Sequence, residues 1–479
     1  MSNLLNIQDL VRDPQGGVYF VGIGGMGMSA LARYFNSKGV PVCGYDKTET
    51  ALTRALVAEG AQITYADDVS ALPKNVRLVV YTPAVPATHR GLQWYQTHGY
   101  LVLKRSDVLG AISAASFNIC IGGTHGKTTV SAITAHILRH SGYGCNAFLG
   151  GIATNYNSNF WGSHNNVSVI EADEYDRSFL KLSPDIAVIT AMDADHLDIY
   201  KTEAALHEAF VQFGERVKTG GLLLTKFGLK AAAQIGVSRR LRYSATNDAA
   251  DAFAANLKTE DGSYVFDVHL PKETIVGMRL QVGGLHNVEN TVAAVAIATE
   301  LKIDTQKIKA AVADFKGVKR RFEYIIAPQK KEKGEWVYPV FIDDYAHHPQ
   351  ELQALLKSVR SLFPQRKVTI LFQPHLFSRT QDFAEGFADA LSIADEVVLL
   401  PIYPAREEPV PGVTSGLILD GIKVEQKLLV PKEQVAEWMQ KHMQQIDKEF
   451  GEVIIIAGAG DIDTLVGPIK KIMNANGEA

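Results

Sequence analysis

Short apolar runs alternate with helical stretches along 479 residues, and two glycine turns each sit between such a run and a helix. Both features predict an α/β protein built on parallel sheets. Length sets the domain count, because one core rarely serves so long a chain and the usual domain size gives about three. The expected division is a Rossmann-like N-terminal domain over 1–115, a central domain of P-loop type with a parallel sheet over 116–323, and a Rossmann-like C-terminal domain over 324–479.

The central turn reads Gly122-Gly123-Thr124-His125-Gly126-Lys127-Thr128-Thr129, after the apolar run 118–121 and before a helical stretch, 130–140. Such a turn leaves backbone N–H groups at a helix start, where the dipole favours negative charge and glycines let a polyphosphate come close. Lys127 would reach the terminal phosphates, and the Thr128 hydroxyl would ligate magnesium. The first glycine of the general nucleotide loop would fall at Ile121, so the pattern here is the compact G-T-x-G-K-T-T of an ATPase domain. Gly123, Thr124, Gly126, Lys127, Thr128 and Thr129 are its candidate ATP-binding residues.

In the N-terminal domain the run 18–21 leads into Gly22-Ile23-Gly24-Gly25-Met26-Gly27, then a helix over 28–38 and a strand over 41–45 ending on Asp46. A G-x-G-x-x-G turn with an acid about twenty positions on seats a diphosphate, the acid meeting a ribose or base. A dehydrogenase would use it so, but nothing in the fingerprint requires a nicotinamide. Runs at 78–81 and 101–103, with a helix over 91–98 between them, complete this domain.

Beyond the phosphate loop, the strand 167–170 ends in Glu171-Ala172-Asp173-Glu174-Tyr175-Asp176, and the strand 186–190 in Asp193-Ala194-Asp195-His196-Leu197-Asp198. Carboxyl ends of neighbouring parallel strands converge on one crevice, so these acids are expected to face the loop. Like charges so crowded imply a cation, and magnesium held by phosphates needs only one or two protein ligands. The alternation over 253–282 reads as a hairpin through 260–262. His286, Asn287 and Asn290 open an alanine-rich helix, where the amides either cap the helix or meet a purine edge. Lys319-Arg320-Arg321 offers guanidinium groups to phosphate, or is a basic linker.

In the last domain the charged run 329–335 reads as a solvated loop between two edge strands. The strand 340–342 runs into Asp343-Asp344-Tyr345-Ala346-His347, and 368–372 into Gln373-Pro374-His375-Leu376-Phe377-Ser378-Arg379. The strand 396–400 precedes a proline-laden loop, and 453–457 ends in glycines. The functional edge of this sheet therefore carries Asp344, His347, His375 and Arg379.

Composition excludes several classes. With 46% hydrophobic and 21% charged residues and a net charge of −4, nothing calls for nucleic acid. Three cysteines without a C-x-x-C pair indicate neither zinc nor a disulfide framework. No leader or membrane-length apolar run is read, so the expected compartment is the cytoplasm, with no membrane partner.

Taken together, the loop 122–129, the acids 171–176, Asp195-His196, His286-Asn287 to Asn290, Arg320-Arg321-Phe322, Asp344-Tyr345-Ala346-His347 and Gln373-Pro374-His375 resemble the Mur ligases of peptidoglycan synthesis, in order and across all three domains. The resemblance implies an ATP-dependent amide ligation. In that family Gly22, Gly24, Gly25, Met26 and Gly27, with Asp46, bind a UDP-sugar rather than a dinucleotide. The 343–349 and 378–380 segments look like the member that joins L-alanine to UDP-N-acetylmuramate, as a monomer or homodimer. The implied catalytic residues are Lys127, Glu171, His196 and Arg321, with magnesium at Thr128, Glu171 and His196. His286, Asn287 and Asn290 would contact adenine, Asp344 the ribose, and His347, His375 and Arg379 the amino acid. The three domains are expected to close around the substrates.

Three positions depart from the pattern. Many relatives carry arginine where this chain has Leu376, which implies that part of the amino-acid carboxylate site is rebuilt or supplied elsewhere. Tyr175 stands where alanine-adding members commonly show serine, and tyrosine is common in the member that recycles wall tripeptides, the runner-up reading. The window 208–213 has no lysine, so no carbamate is expected. An oxidoreductase using Gly22 to Gly27 leaves the second loop and its acids unexplained, and a mechanical ATPase has no need of the first.

Overall fold

The computed structural model describes residues 7–13, 15–193, 197–260, 262–329, 338–405, 407–447 and 449–477. Two compact units account for the chain: Met1–Ala254, Val268–Ile275 and Glu289–Val312 form one, and Ala255–Asp267, Val276–Val288 and Ala313–Ala479 the other.

The first unit holds one sheet whole and the body of a second, whose last three strands fall partly in the other unit. The N-terminal one has five parallel strands in the spatial order Gln62–Thr64, Val42–Tyr45, Gly17–Val21, Val76–Tyr81, Val102–Lys104. Its central strand, Gly17–Val21, is buried along its whole length, as a parallel strand covered on both faces must be. Chain order reverses between Gly17–Val21 and Val76–Tyr81, which opens a crevice at their carboxyl ends where the glycine turn begins.

The second sheet runs Ser158–Trp161, Asn146–Ala153, Val167–Glu171, Phe117–Gly122, Ile186–Ile189, Leu222–Lys226, Arg240–Ser244, Ala252–Glu260, Ser263–His269, Thr274–Leu280. Phe117–Gly122 pairs in parallel with Val167–Glu171 on one side and Ile186–Ile189 on the other, so the phosphate loop leaves the sheet between the two strands that precede the acidic segments. Ser158–Trp161 pairs antiparallel with Asn146–Ala153, so the sheet is parallel only within its body. Where one hairpin was expected over 253–282, three strands stand, the additional turn falling between His269 and Thr274.

One hydrophobic core spans both sheets of this unit, including Phe20, Leu31 and Phe35 beside Phe148, Phe160 and Ile170. The helix Met26–Ser37 carries the contact: Tyr34 packs its ring against Phe148 at 5.5 Å and edge-on to Phe160 at 6.1 Å. Beneath those rings the fully buried Asn159 donates from Nδ2 to Met26 O at 2.7 Å and to Ser29 Oγ at 2.9 Å, and accepts from Arg33. A buried amide must be satisfied or it costs about 1–3 kcal/mol. This one is, and two of its partners, Met26 and Ser29, sit at the first turn of the helix that the glycine turn opens.

The second unit holds a six-stranded sheet, ordered Glu323–Ile326, Val340–Asp344, Glu452–Ala457, Lys367–Phe372, Glu396–Leu399, Gln426–Leu429. All pairs are parallel except the first, so Glu323–Ile326 is an edge strand while Val340–Asp344 lies inside it, not at the edge as expected from sequence. The helix Pro349–Leu362 starts in a favourable way, with proline at N1 and a capping box between His348 and Glu351, and buries Leu352, Leu355, Leu356 and Val359 on one face. Residues 330–335 of the charged run 329–335 lie outside the described residues.

Candidate active site

Two glycines in left-handed backbone shape the phosphate loop. At Gly123 (φ +136°) a Cβ would sit 2.7 Å from Ala191 N and closer still to the Thr190 hydroxyl; at Gly126 (φ +83°) it would meet Asn290 Oδ1 at 2.9 Å. Gly126 starts the helix Lys127–His140 with no side-chain cap, so the first N–H groups are left for an anion. The end of the strand Ile186–Ile189 staples the loop from below. Thr124 N donates to Ala191 O at 3.2 Å, Asp193 N donates to Thr124 Oγ1 at 3.1 Å, and the Thr190 hydroxyl donates to Gly122 O at 3.2 Å and to His125 O.

The acids 171–176 separate toward different partners. Glu171 Oε1 accepts from the Thr128 hydroxyl at 2.8 Å, and its Oε2 accepts from Gly150 N at 2.7 Å. Lys127 Nζ donates to Glu174 Oε1 at 2.8 Å and to Gly123 O at 2.6 Å. Glu174 is completely buried; desolvation pushes its carboxyl above the usual range, and the Lys127 ammonium opposes that rise. Asp173 pairs with Arg105 at 3.5 Å, and Asp176 lies 3.9 Å from Lys104, both cations beginning the helix Arg105–Ala114 or just preceding it. Across the loop mouth the exposed His125 and Asp193 stand 4.0 Å apart.

The N-terminal turn is organised by its own acid. Asp46 Oδ2 accepts from Gly24 N at 2.7 Å, and a Cβ on Gly24 would clash with it at 2.8 Å, so Asp46 braces the turn expected to hold a diphosphate. Gly22 takes φ +85° to leave the strand. Gly27 is crossed by Arg105, whose Nη1 would lie 2.8 Å from a Cβ there. Between turn and phosphate-loop sheet lies a cleft of ≈ 390 Å³ lined by Gly25, Met26, Gly27, Arg105, Glu171 and Asp173, among others. Tyr175 lines an adjoining cleft of ≈ 190 Å³ with Arg105 and Asp176.

In the second unit Asp344 ends the strand Val340–Asp344 and accepts from Phe322 N and Ala346 N, both at 2.7 Å. Burial pushes its carboxyl up to about 6 against those two bonds, with Arg321 also holding it down. The Arg321 side chain is exposed, while its neighbour Arg320 pairs with Asp463 at 3.4 Å and lies over the Tyr345 ring. His347 and His375 meet edge to face at 6.3 Å, and His375 stacks on Tyr403. Arg379 Nη1 is buried with no hydrogen-bond partner among the described residues. Leu376 holds φ +69°, a strained setting for a leucine, between His375 and the helix Phe377–Asp382. Asn287 is buried and donates from Nδ2 to Gly283 O at 2.6 Å, with His286 beside Gly284.

Thus the structure brings together Gly123, Thr124, Gly126, Lys127, Thr128, Thr129, Glu171 and Asn290 at one loop, and His347 with His375 in the other unit. Asp195 and His196 lie outside the described residues. The sequence reading did not single out Arg105, Glu174 or Thr190. Arg105 follows a parallel strand's carboxyl end, the same signal that marked Glu171, and Thr190 ends its strand likewise.

Mur ligase family profiles match nearly the whole length: "Mur ligase family, catalytic domain" over 17–117, "Mur ligase middle domain" over 121–298 and "Mur ligase, glutamate ligase domain" over 320–460. The chain belongs to the Mur ligase family. Among individual relatives it is 45% identical to the UDP-N-acetylmuramate–L-alanine ligase of Porphyromonas gingivalis and 46% identical to that of Flavobacterium johnsoniae, over 95% and 96% of this chain and 98% of each relative. A crystal structure of the UDP-N-acetylmuramate-alanine ligase of Thermotoga maritima superposes with a TM-score of 0.77 at 26% identity, covering 96% of this chain and 99% of that one. A murein peptide ligase from Psychrobacter arcticus shares the fold, with a TM-score of 0.62 at 21% identity over 97% and 99% of the two chains. The relatives therefore favour the alanine-adding reading over the runner-up that Tyr175 suggested.

Proposed function

We propose that the chain uses ATP to join L-alanine to the lactyl carboxylate of UDP-N-acetylmuramate, making a peptidoglycan precursor. One observation carries the reading: the glycine turn 25–27 and Glu171, itself hydrogen-bonded to the phosphate-loop Thr128, line a single cleft within one compact unit. A UDP-sugar along Gly22, Gly24, Gly25, Met26 and Gly27 would extend its acid toward a nucleotide on Gly123 to Thr129.

A carboxylate is a poor electrophile, so the sugar acid first takes the γ-phosphate as an acyl phosphate, and the amine of alanine then displaces phosphate. Phosphoryl transfer asks for charge neutralisation and alignment more than covalent help. Lys127 and Arg321 would supply the first. His286, Asn287 and Asn290 would hold adenine, Asp344 the ribose, and His347 and His375 the alanine. The buried Nη1 of Arg379, which has no hydrogen-bond partner among the described residues, suits the alanine carboxylate.

Thr128 and Glu171 fit a magnesium ion: a hydroxyl and a carboxylate oxygen, 2.8 Å apart, are the hard ligands it takes. His196 would be the further ligand. A magnesium ion there supplies positive charge that lets phosphate and sugar acid approach. The division into domains 1–115, 116–323 and 324–479 belongs to the same proposal, supported by the three sheets. So do a cytoplasmic monomer or homodimer and the absence of nucleic-acid or membrane partners. No helix among the described residues is long and apolar enough to cross a membrane.

The test is phosphate release in mixtures of protein, ATP, magnesium and UDP-N-acetylmuramate with either L-alanine or the wall tripeptide. Release with alanine is expected. Release only with the tripeptide, or release independent of both sugar and amine, would overturn the proposal.

A further inference from the structure

The ammonium of Lys127 is tied down on two sides, by Gly123 O at 2.6 Å and by Glu174 Oε1 at 2.8 Å. Neither partner of this ion pair is a surface group: Glu174 is fully buried and the Lys127 side chain is 15% exposed. Desolvating a carboxylate costs several kcal/mol, and a buried pair is often no better for stability than two apolar side chains. The backbone around the acid is itself fixed. Glu174 O accepts from the buried Tyr200 hydroxyl at 2.6 Å and from Arg177 N at 2.9 Å. A rigid, costly carboxylate is thus aimed at the one lysine of the phosphate loop.

We infer that Glu174 is the positioning residue of Lys127: it holds the ammonium against Gly123 until a triphosphate arrives, then limits its swing so that Nζ meets the terminal phosphate at one place. The inference deepens the ATP-dependent reading above and rests on it. In the free protein Glu174 competes with the nucleotide for the ammonium, and during phosphoryl transfer it aligns it. Removing the charge therefore acts in opposite directions on ground-state binding and on the chemical step. Damage to the fold would weaken both together.

The experiment compares Glu174→Gln and Glu174→Asp with the unaltered chain. Calorimetry gives the ATP Kd with magnesium and no sugar, and phosphate release with UDP-N-acetylmuramate and L-alanine gives kcat. For Glu174→Gln the expected result is an ATP Kd lowered about threefold or more together with a kcat lowered about tenfold or more. Glu174→Asp restores the charge on a shorter arm, so its Kd should return close to the original while kcat recovers only in part. A Glu174→Gln kcat within about twofold of the original, or a Kd that rises as kcat falls, overturns the inference. Should Glu174→Gln not fold, Glu174→Asp decides alone: an original Kd with a reduced kcat supports positioning, and an unchanged kcat overturns it. Failure of the underlying ligase reading is distinguishable, because then the unaltered chain itself would release no phosphate.

Discussion

Gly123 is the position where the loop's shape can be tested most directly. Replacing it by alanine places a Cβ 2.7 Å from Ala191 N and 2.9 Å from Thr190 N, both backbone atoms of a buried strand end that cannot give way. Overpacking against backbone costs about 1–3 kcal/mol, and holding an alanine at φ +136° adds about 1–3 kcal/mol. The sum, about 2–6 kcal/mol, exceeds what the loop's few staples supply, so the loop should move rather than the domain unfold. Two comparisons isolate the steric part. At Gly126 the added Cβ meets only the end of a side chain, Asn290 Oδ1, leaving mainly the left-handed backbone cost of about 1–2 kcal/mol. Gly39 has a similar φ, +76°, with nothing within 4 Å, and lies away from the loop. Calorimetric titration with ATP should therefore show Gly123→Ala weakened about 30-fold or more, Gly126→Ala weakened less, and Gly39→Ala unchanged. Gly123→Ala binding ATP within about threefold of the original, with an unaltered Tm, would refute the argument.

Three further outcomes are expected. Lys127→Ala should abolish phosphate release yet keep UDP-sugar affinity, because the bonds that shape the turn 22–27 run to Asp46 and Tyr45; equal loss of both, read by fluorescence titration of the sugar nucleotide, would contradict the assignment. Arg379→Ala should raise the KM for alanine roughly 10- to 100-fold, since a charge-assisted contact is worth about 1.5–3 kcal/mol, while the ATP requirement stays put; an unaltered alanine titration moves the carboxylate site elsewhere. For Asp343, burial raises the folded carboxyl from 3.8 to about 7, so the folded state binds the extra proton between those values. Stability from this group is then present below about pH 4 and lost as pH rises through 7. Urea midpoints at pH 5 and 7.5 should fall in that direction, and Asp343→Asn should flatten the difference.

The sequence was most legible where an apolar run ends on glycine or an acid. The strands Gly17–Val21, Phe117–Gly122, Val167–Glu171 and Lys367–Phe372 fall within a residue or two of expectation, because burial on both faces demands unbroken apolar runs. Gln62–Thr64 and Gln426–Leu429 escaped because edge strands this short bury little and show no alternation. Asn146–Ala153 was not anticipated, since Gly150 and Gly151 interrupt its apolar run. The helix Ala51–Ala58 is capped by Thr50 with Thr53, a box whose usual glutamate is absent. Leu222–Lys226 is the missing strand with a plain apolar signal. At the site, motif spacing located the loop but could not say which way each of the neighbouring acids points.

Those directions decide the electrostatics. Four carboxylates within six residues, 171–176, would repel strongly if all faced one point, and a cation among them was the expected remedy. Instead the chain distributes them: Glu174 to Lys127, Asp173 to Arg105, Asp176 toward Lys104. Glu171 alone has only neutral donors, the Thr128 hydroxyl and Gly150 N, and no ion pair among the described residues. Among the four acids 171–176 its charge is therefore the one left without an ion pair, which is what a ligand for an incoming divalent cation requires. A hydroxyl already hydrogen-bonded to that carboxylate can turn its lone pair to the same cation with little rearrangement.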